Sequence, residues 1–239
     1  VPHIVSTTSG SIAILMALLS SGIKNGDEVI IPNRTWISAV HAALLIGVKP
    51  VIVDVEKNNP VLNIEKIESA ITKKTRAIIP TQINGRAVKM DEVWKIAKKF
   101  NLIVIEDSAQ ALFSKYNNNF MGTKSDYGCF SFSVAKLLPT GQGGFIATNN
   151  KKNYENLLKI RTHGINNFTK FAPFECFGFN FRFNDILSSI GLTRLNNIES
   201  KIKKLLNIYK VYEKELKFNN NISLIPVDIE KGEIPLYIE

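Results

Sequence analysis

Six short apolar runs punctuate the first 150 residues: Glu28-Val29-Ile30-Ile31, Val51-Ile52-Val53, Ala77-Ile78-Ile79, Leu102-Ile103-Val104-Ile105, Phe130-Ser131-Phe132 and Gly144-Phe145-Ile146-Ala147. Most are continuous and not alternating, which predicts strands covered by other elements on both faces. Helical periodicity fills the intervals at residues 11–20, 37–46, 64–71 and 90–100. Repeated strand–helix units of this kind predict an α/β fold with a mainly parallel sheet. From Asn184 the pattern changes. Leu187, Ile190, Leu195, Ile198, Ile202 and Leu205 recur at three- and four-residue steps and predict one long amphipathic helix reaching about Leu216. Asn219-Asn220-Asn221 ends it, and residues 222–239 read as the start of another strand-containing unit. The organisation is therefore a large domain over 1–183, a connecting helix over 184–217 and the beginning of a small C-terminal domain over 218–239. No initiating Met is present and a motif follows almost at once, so the chain reads as a piece of a longer protein.

Composition changes this picture little. The 239 residues are 45% hydrophobic and 21% charged, ordinary for a globular chain and unlike a disordered one. A formal charge of +9 raises nucleic acid, an acidic membrane surface or an anionic small substrate as partners. The lysines are scattered, however, and the densest run, residues 201–217, reads as the solvated face of the helix. Neither nucleic acid nor membrane is expected, since no apolar run approaches a bilayer's thickness and no signal-type segment opens the chain. Cys129 and Cys176 have no CxxC or metal-type spacing, so no metal site is expected and a cytoplasmic, reducing compartment fits.

Four segments carry candidate chemistry. Asp107 follows the strongest strand in Ile105-Glu106-Asp107-Ser108-Ala109-Gln110, at the end where open α/β sheets place ligand groups. A carboxylate there can hold a pyridinium nitrogen protonated; it can equally cap the next helix. Lys136 lies just past a hydrophobic strand, where partial desolvation lowers an amine's pKa and suits covalent bonding to a carbonyl. A solvent-facing lysine is the plainer reading. Thr140-Gly141-Gln142-Gly143-Gly144 permits a tight turn beside a ligand, or an ordinary β-turn. Thr7-Thr8-Ser9-Gly10-Ser11 opens the first helix and can present amides to a phosphate, or merely cap it.

Taken in order and spacing, these segments resemble the DegT/StrS-type family of pyridoxal-phosphate (PLP)-dependent sugar aminotransferases. The resemblance also runs through Gly26-Asp27-Glu28-Val29-Ile30-Ile31-Pro32, Thr35-Trp36, Pro50-Val51-Ile52-Val53-Asp54-Val55, Arg161-Thr162-His163-Gly164 and Gly178-Phe179-Asn180-Phe181-Arg182. It implies a fold-type-I large domain with a seven-stranded-type sheet sandwiched by helices. It also implies PLP as cofactor, an amino-acid donor (glutamate foremost) and a nucleotide-linked keto-sugar acceptor, in amino-sugar and surface polysaccharide biosynthesis. Lys136 would carry PLP covalently and shuttle the proton; Asp107 would pair with the ring nitrogen, and Gln110 would approach the ring hydroxyl. Trp36 and Ala109 would flank the ring, while Gly10, Ser11 and Ser131 would hold the phosphate. Asn180 matches a position that reaches the neighbouring subunit's phosphate, implying a homodimer with shared sites. For Trp36, packing in the core competes with stacking on the ring.

Two departures from the family's pattern stand out: Leu112-Phe113 where many relatives have His-Gly, and Gln82 where many have His. Both are positions where substrate specificity is expected to be set. A dehydratase branch with His in place of the lysine, and a non-enzymatic regulator, are the alternative readings; Lys136 with Asp107 argues against each.

Overall fold

The computed structural model describes residues 1–165 and 173–239. Its elements follow the alternation in the sequence. They are β1 (His3–Thr7), α1 (Gly10–Ser20), β2 (Glu28–Pro32), α2 (Ser38–Leu45), β3 (Lys49–Val53), a 3-10 turn running into α3 (Ile67–Ala70), β4 (Thr75–Ile78), α4 (Met90–Phe100) and β5 (Ile103–Asp107). A short hairpin β6 (Lys115–Tyr116) and β7 (Asn119–Phe120) follows, then β8 (Tyr127–Ser131), β9 (Gly144–Thr148) and α5 (Lys151–Arg161). Two helices, α6 (Asp185–Leu195) and α7 (Ile198–Leu216), precede a C-terminal segment whose only regular piece among the described residues is a 3-10 turn at Ile229–Lys231.

Seven strands form one sheet in the order β1-β9-β8-β5-β4-β2-β3. The pairs from β8 to β3 are all parallel, while β9 is antiparallel to both β8 and β1. All strands but β9 therefore run the same way, and their C-terminal ends share one edge. The apolar runs are split between two cores by the two-residue period of a strand. Val29, Ile31, Ala77, Ile79 and Ile105 face α1, α2 and α5 on one side. Ile30, Ile78 and Val104 face Val93, Ile96 and Ala97 of α4 and the Ile64 and Ile67 turn on the other. Each helix is built for its place. The stretch Ala13-Ile14-Leu15-Met16-Ala17-Leu18 of α1 is wholly buried. By contrast, α4 has one apolar face, acids Asp91 and Glu92 in its first turn, Lys98 and Lys99 in its last, and a left-handed Asn101 ending it.

Two expectations change, and three elements were not foreseen. The long helix predicted from Asn184 is two, because Asn197 (φ −110°, ψ 12°) leaves helical geometry between α6 and α7. Asn side chains compete for backbone groups, so they favour such breaks while the apolar period continues across them. Residues 222–239 contain no strand among the described residues; they lie along the large domain as irregular chain, tied at Ile225 to Glu239 by a 2.9 Å backbone bond. The edge strand β1, the β6–β7 hairpin and α5 carry too little apolar signal to have been predicted.

Candidate active site

The shared C-terminal edge of the strands opens into a cavity of about 480 Å³. It is lined by Gly10, Ser11, Trp36, Asp107, Ala109, Gln110, Ser131 and Lys136, eight of the nine residues singled out in the sequence, drawn from four separate segments of the chain.

One wall is the start of α1. Ser9 sits extended at the N-cap with its hydroxyl accepting from the Ile12 amide at 3.2 Å, and Thr7 Oγ1 donates to the Ser9 carbonyl at 2.9 Å. First-turn amides have no intrahelical partner and lie at the positive end of the helix dipole. Gly10 lets this turn close on β8, since a Cβ there would stand 2.8 Å from Ser131 Cβ. Gly144 backs the same turn, where a Cβ would meet the Phe130 carbonyl at 2.4 Å and the Gly10 nitrogen at 2.8 Å. The glycine-rich segment thus supports the helix start from beneath and does not itself line the cavity, contrary to the reading of a turn beside a ligand.

Asp107 ends β5 with its side chain buried. Burial raises its pKa; the Ala109 amide, 3.1 Å from Oδ1, and the charge of Lys136 pull the other way. Lys136 is half-buried in the turn after β8, and burial lowers its pKa while Asp107 opposes that. Each group's charged form is disfavoured by desolvation and favoured by the other. Glu106, on the opposite face of β5, is fully buried and serves structure. It accepts from Gln82 Nε2 (2.8 Å), the Gly122 amide (2.6 Å), Ser125 Oγ (2.8 Å) and, more weakly, Ser108 Oγ (3.4 Å), and burial still raises its pKa.

Gln110 has a defined orientation. Its Oε1 accepts from the Asn84 amide at 2.9 Å, which leaves its NH2 as the group free to turn to the cavity. Asn84, buried and left-handed (φ 51°), also clips the C-terminal segment. Its Oδ1 accepts from the amides of Leu236 (2.8 Å) and Tyr237 (2.6 Å), and its Nδ2 donates to the Tyr237 carbonyl at 2.8 Å. Trp36 is 69% exposed at the cavity's rim, so core packing does not explain it.

Other placements depart from the sequence reading. Asn180 is exposed outside the cavity, its Oδ1 accepting from Arg182 Nε at 2.9 Å. The neighbouring Phe181 carbonyl accepts from the Thr8 amide at 3.1 Å, which places Asn180 next to a contact with the turn that opens α1. Gln82 is fully buried between Glu106 and the Val88 amide, and Phe113 packs edge-on against Phe120; neither lines the cavity, so neither departure is positioned to meet a substrate there. Sequence reasoning missed Ser9, Ile14, Ser38, Ser133, Ala135 and Tyr237 in the lining. Ser9, Ser133 and Ala135 stand inside the motifs already quoted. Tyr237 gave no local signal, because a contact through Asn84 across 153 residues brings it there.

The chain has the α/β fold of PLP-dependent aminotransferase structures. Over 98% of its length it superimposes on a crystal structure of S. venezuelae DesV in complex with a ketimine intermediate, with a TM-score of 0.91 and 30% identity. The profile of the DegT/DnrJ/EryC1/StrS aminotransferase family matches residues 1–236, and the chain belongs to that family. GDP-perosamine synthase of Escherichia coli is 33% identical over 234 residues, 98% of this chain and 63% of that protein. UDP-N-acetyl-3-dehydro-alpha-D-glucosamine 3-aminotransferase of Acidithiobacillus ferrooxidans is 40% identical over 165 residues, 69% of this chain and 45% of that protein. The chain spans 62% of DesV. It thus covers less than two thirds of each of these proteins.

Proposed function

We propose that this chain is the cofactor-binding part of a PLP-dependent aminotransferase that moves an amino group from an amino acid, glutamate foremost, to a nucleotide-linked keto-sugar. The observation that carries the reading is the meeting of Asp107, Lys136 and the start of α1 in one cavity. The residues fit the group. A buried carboxylate suits a pyridinium nitrogen, a half-buried amine suits a carbonyl, and a helix N-terminus flanked by Ser131 suits a phosphate dianion. When bound, PLP supplies a ring that takes up negative charge from the carbon bearing the transferred amine.

Asp107, kept from water, would hold a proton on the ring nitrogen through a charge-assisted hydrogen bond. Lys136 Nζ would be the nucleophile toward the cofactor carbonyl. Once released, it would be the base that moves a proton at the substrate carbon, a role suited to a lysine whose pKa burial has lowered. Gly10, Ser11 and Ser131 would donate to phosphate. Gln110, its amide turned by Asn84, would donate to the ring oxygen, and Trp36 and Ala109 would flank the ring. The named activities of the perosamine synthase and the 3-aminotransferase support a nucleotide-sugar acceptor. Amino-sugar and surface polysaccharide synthesis is the setting that follows. Asn180 would donate to the phosphate bound in the partner of a homodimer, since one chain's donors leave a dianion short of hydrogen bonds.

The test is borohydride reduction after incubation with PLP, followed by peptide mapping, then glutamate with a panel of nucleotide keto-sugars. The label should fall on Lys136; a label on any other lysine overturns the assignment.

A further inference from the structure

The lysines of α7 do not form a uniform solvated face. Lys201, in the helix's first turn, is half-buried, and its ammonium donates to the Leu137 carbonyl at 2.7 Å and the Lys136 carbonyl at 3.3 Å. From another direction the Tyr237 hydroxyl donates to the Ala135 carbonyl at 3.2 Å. Three consecutive carbonyls, 135 to 137, are therefore held by side chains from the C-terminal third of the chain. Within the turn, the Lys136 amide donates to the Ser133 carbonyl at 3.0 Å and the Ser133 amide to Ser131 Oγ at 3.3 Å. Among the described residues Lys201 makes no ion pair with a carboxylate. Burial first, and then the charge of Arg194, lower its pKa. An ammonium kept desolvated for two peptide oxygens acts as an oriented donor, unlike the lysines that project from α7 into water.

We infer that Lys201 is a positioning residue for Lys136: reaching across from α7, it grips the two carbonyls around the candidate nucleophile and fixes how that side chain enters the cavity. The inference rests on the reading of Lys136 as the reactive amine. Held in place, the amine stays half-buried; released, the turn admits water and the desolvation that lowers the amine's pKa is lost. A role in stability alone would lower the melting temperature and leave the amine's titration where it was.

Trace acetylation of the cofactor-free protein across a pH series, with peptide mapping, reads this directly, using an added free lysine derivative as reference. In the wild type, Lys136 should reach half-maximal reactivity at lower pH than the added free amine. Lys201→Met should move the Lys136 midpoint up by about one pH unit toward that of the free amine. Should that variant not fold, Lys201→Gln, which keeps a neutral donor, should give a smaller shift in the same direction. An unmoved Lys136 midpoint in whichever variant folds overturns the inference alone. A wild-type Lys136 that titrates with the free amine overturns the reading of Lys136 as an activated amine, and this inference with it.

Discussion

Asp107 and Lys136 are held where burial works against the charge each would carry in water, and stability should record it. The raised pKa of Asp107 means that, between its ordinary 3.8 and its folded value, the folded chain holds the extra proton. Stability therefore falls as pH climbs through that window. For Lys136 the folded value lies below 10.5, so the unfolded chain holds the extra proton and stability rises with pH through the corresponding alkaline window. Asp107→Asn should flatten the acid-side fall and raise the melting temperature of the cofactor-free protein near neutrality by about 2–4 °C. The same change should lower transamination at least about a hundredfold. Calorimetry over a pH series beside a coupled assay measures both, and a variant of unchanged activity contradicts the role of Asp107. At Gly10 the constraint is space. Gly10→Ala places a Cβ 2.8 Å from Ser131 Cβ and should weaken PLP binding about tenfold, read by titrating the cofactor's absorbance.

Among the elements, β5 concentrates the demands of the fold, with Asp107 serving the cavity and Glu106 tying the strand to the segments around Gln82 and Gly122. Glu106→Gln leaves an amide NH2 facing donors and should cost about 2–4 kcal/mol in urea denaturation, with m unchanged. The central strands were legible because both faces are buried, which writes them as unbroken apolar runs. The edge strand β1 mixes His3, Ser6 and Thr7 with its apolar residues, and α5 buries only Leu157 and Ile160, so neither has a period to read. The β6–β7 turn did leave a trace in Asn117-Asn118, both at positive φ (47° and 62°), a residue type suited to such hairpins. In the site, the residues that could be read are those whose chemistry lies in one short motif: Gly10, Asp107, Gln110, Ser131 and Lys136. Tyr237, Asn84 and Lys201 act through partners more than 60 residues away, and no local pattern encodes that.

For the molecule as a whole, the proposed homodimer needs an apolar face to pair. The helix α6 buries no residue in the single chain, with Ile186 77% and Leu192 67% exposed. Trp36 and Leu45 are bare as well, a surface that fits the proposed homodimer. Sedimentation should find a dimer, and Ile186→Lys with Leu192→Lys should convert it to monomers. Mixing Asn180→Ala chains with Lys136→Ala chains should restore one good site per mixed dimer; proven heterodimers without activity would refute a shared site. The pairing of β1 with β9 has a consequence of another kind. Thr7 meets Gly144, so during synthesis β1 waits for β9, the last strand of this sheet to be made. That interval is on the order of ten seconds at ordinary elongation rates. All the while α1, which in the finished fold buries seven of its eleven residues, follows an unpaired edge. Synthesis of this chain should lean on holding chaperones until β9 emerges, and ribosome-released products ending before Gly144 should aggregate where those ending after Thr148 stay dispersed.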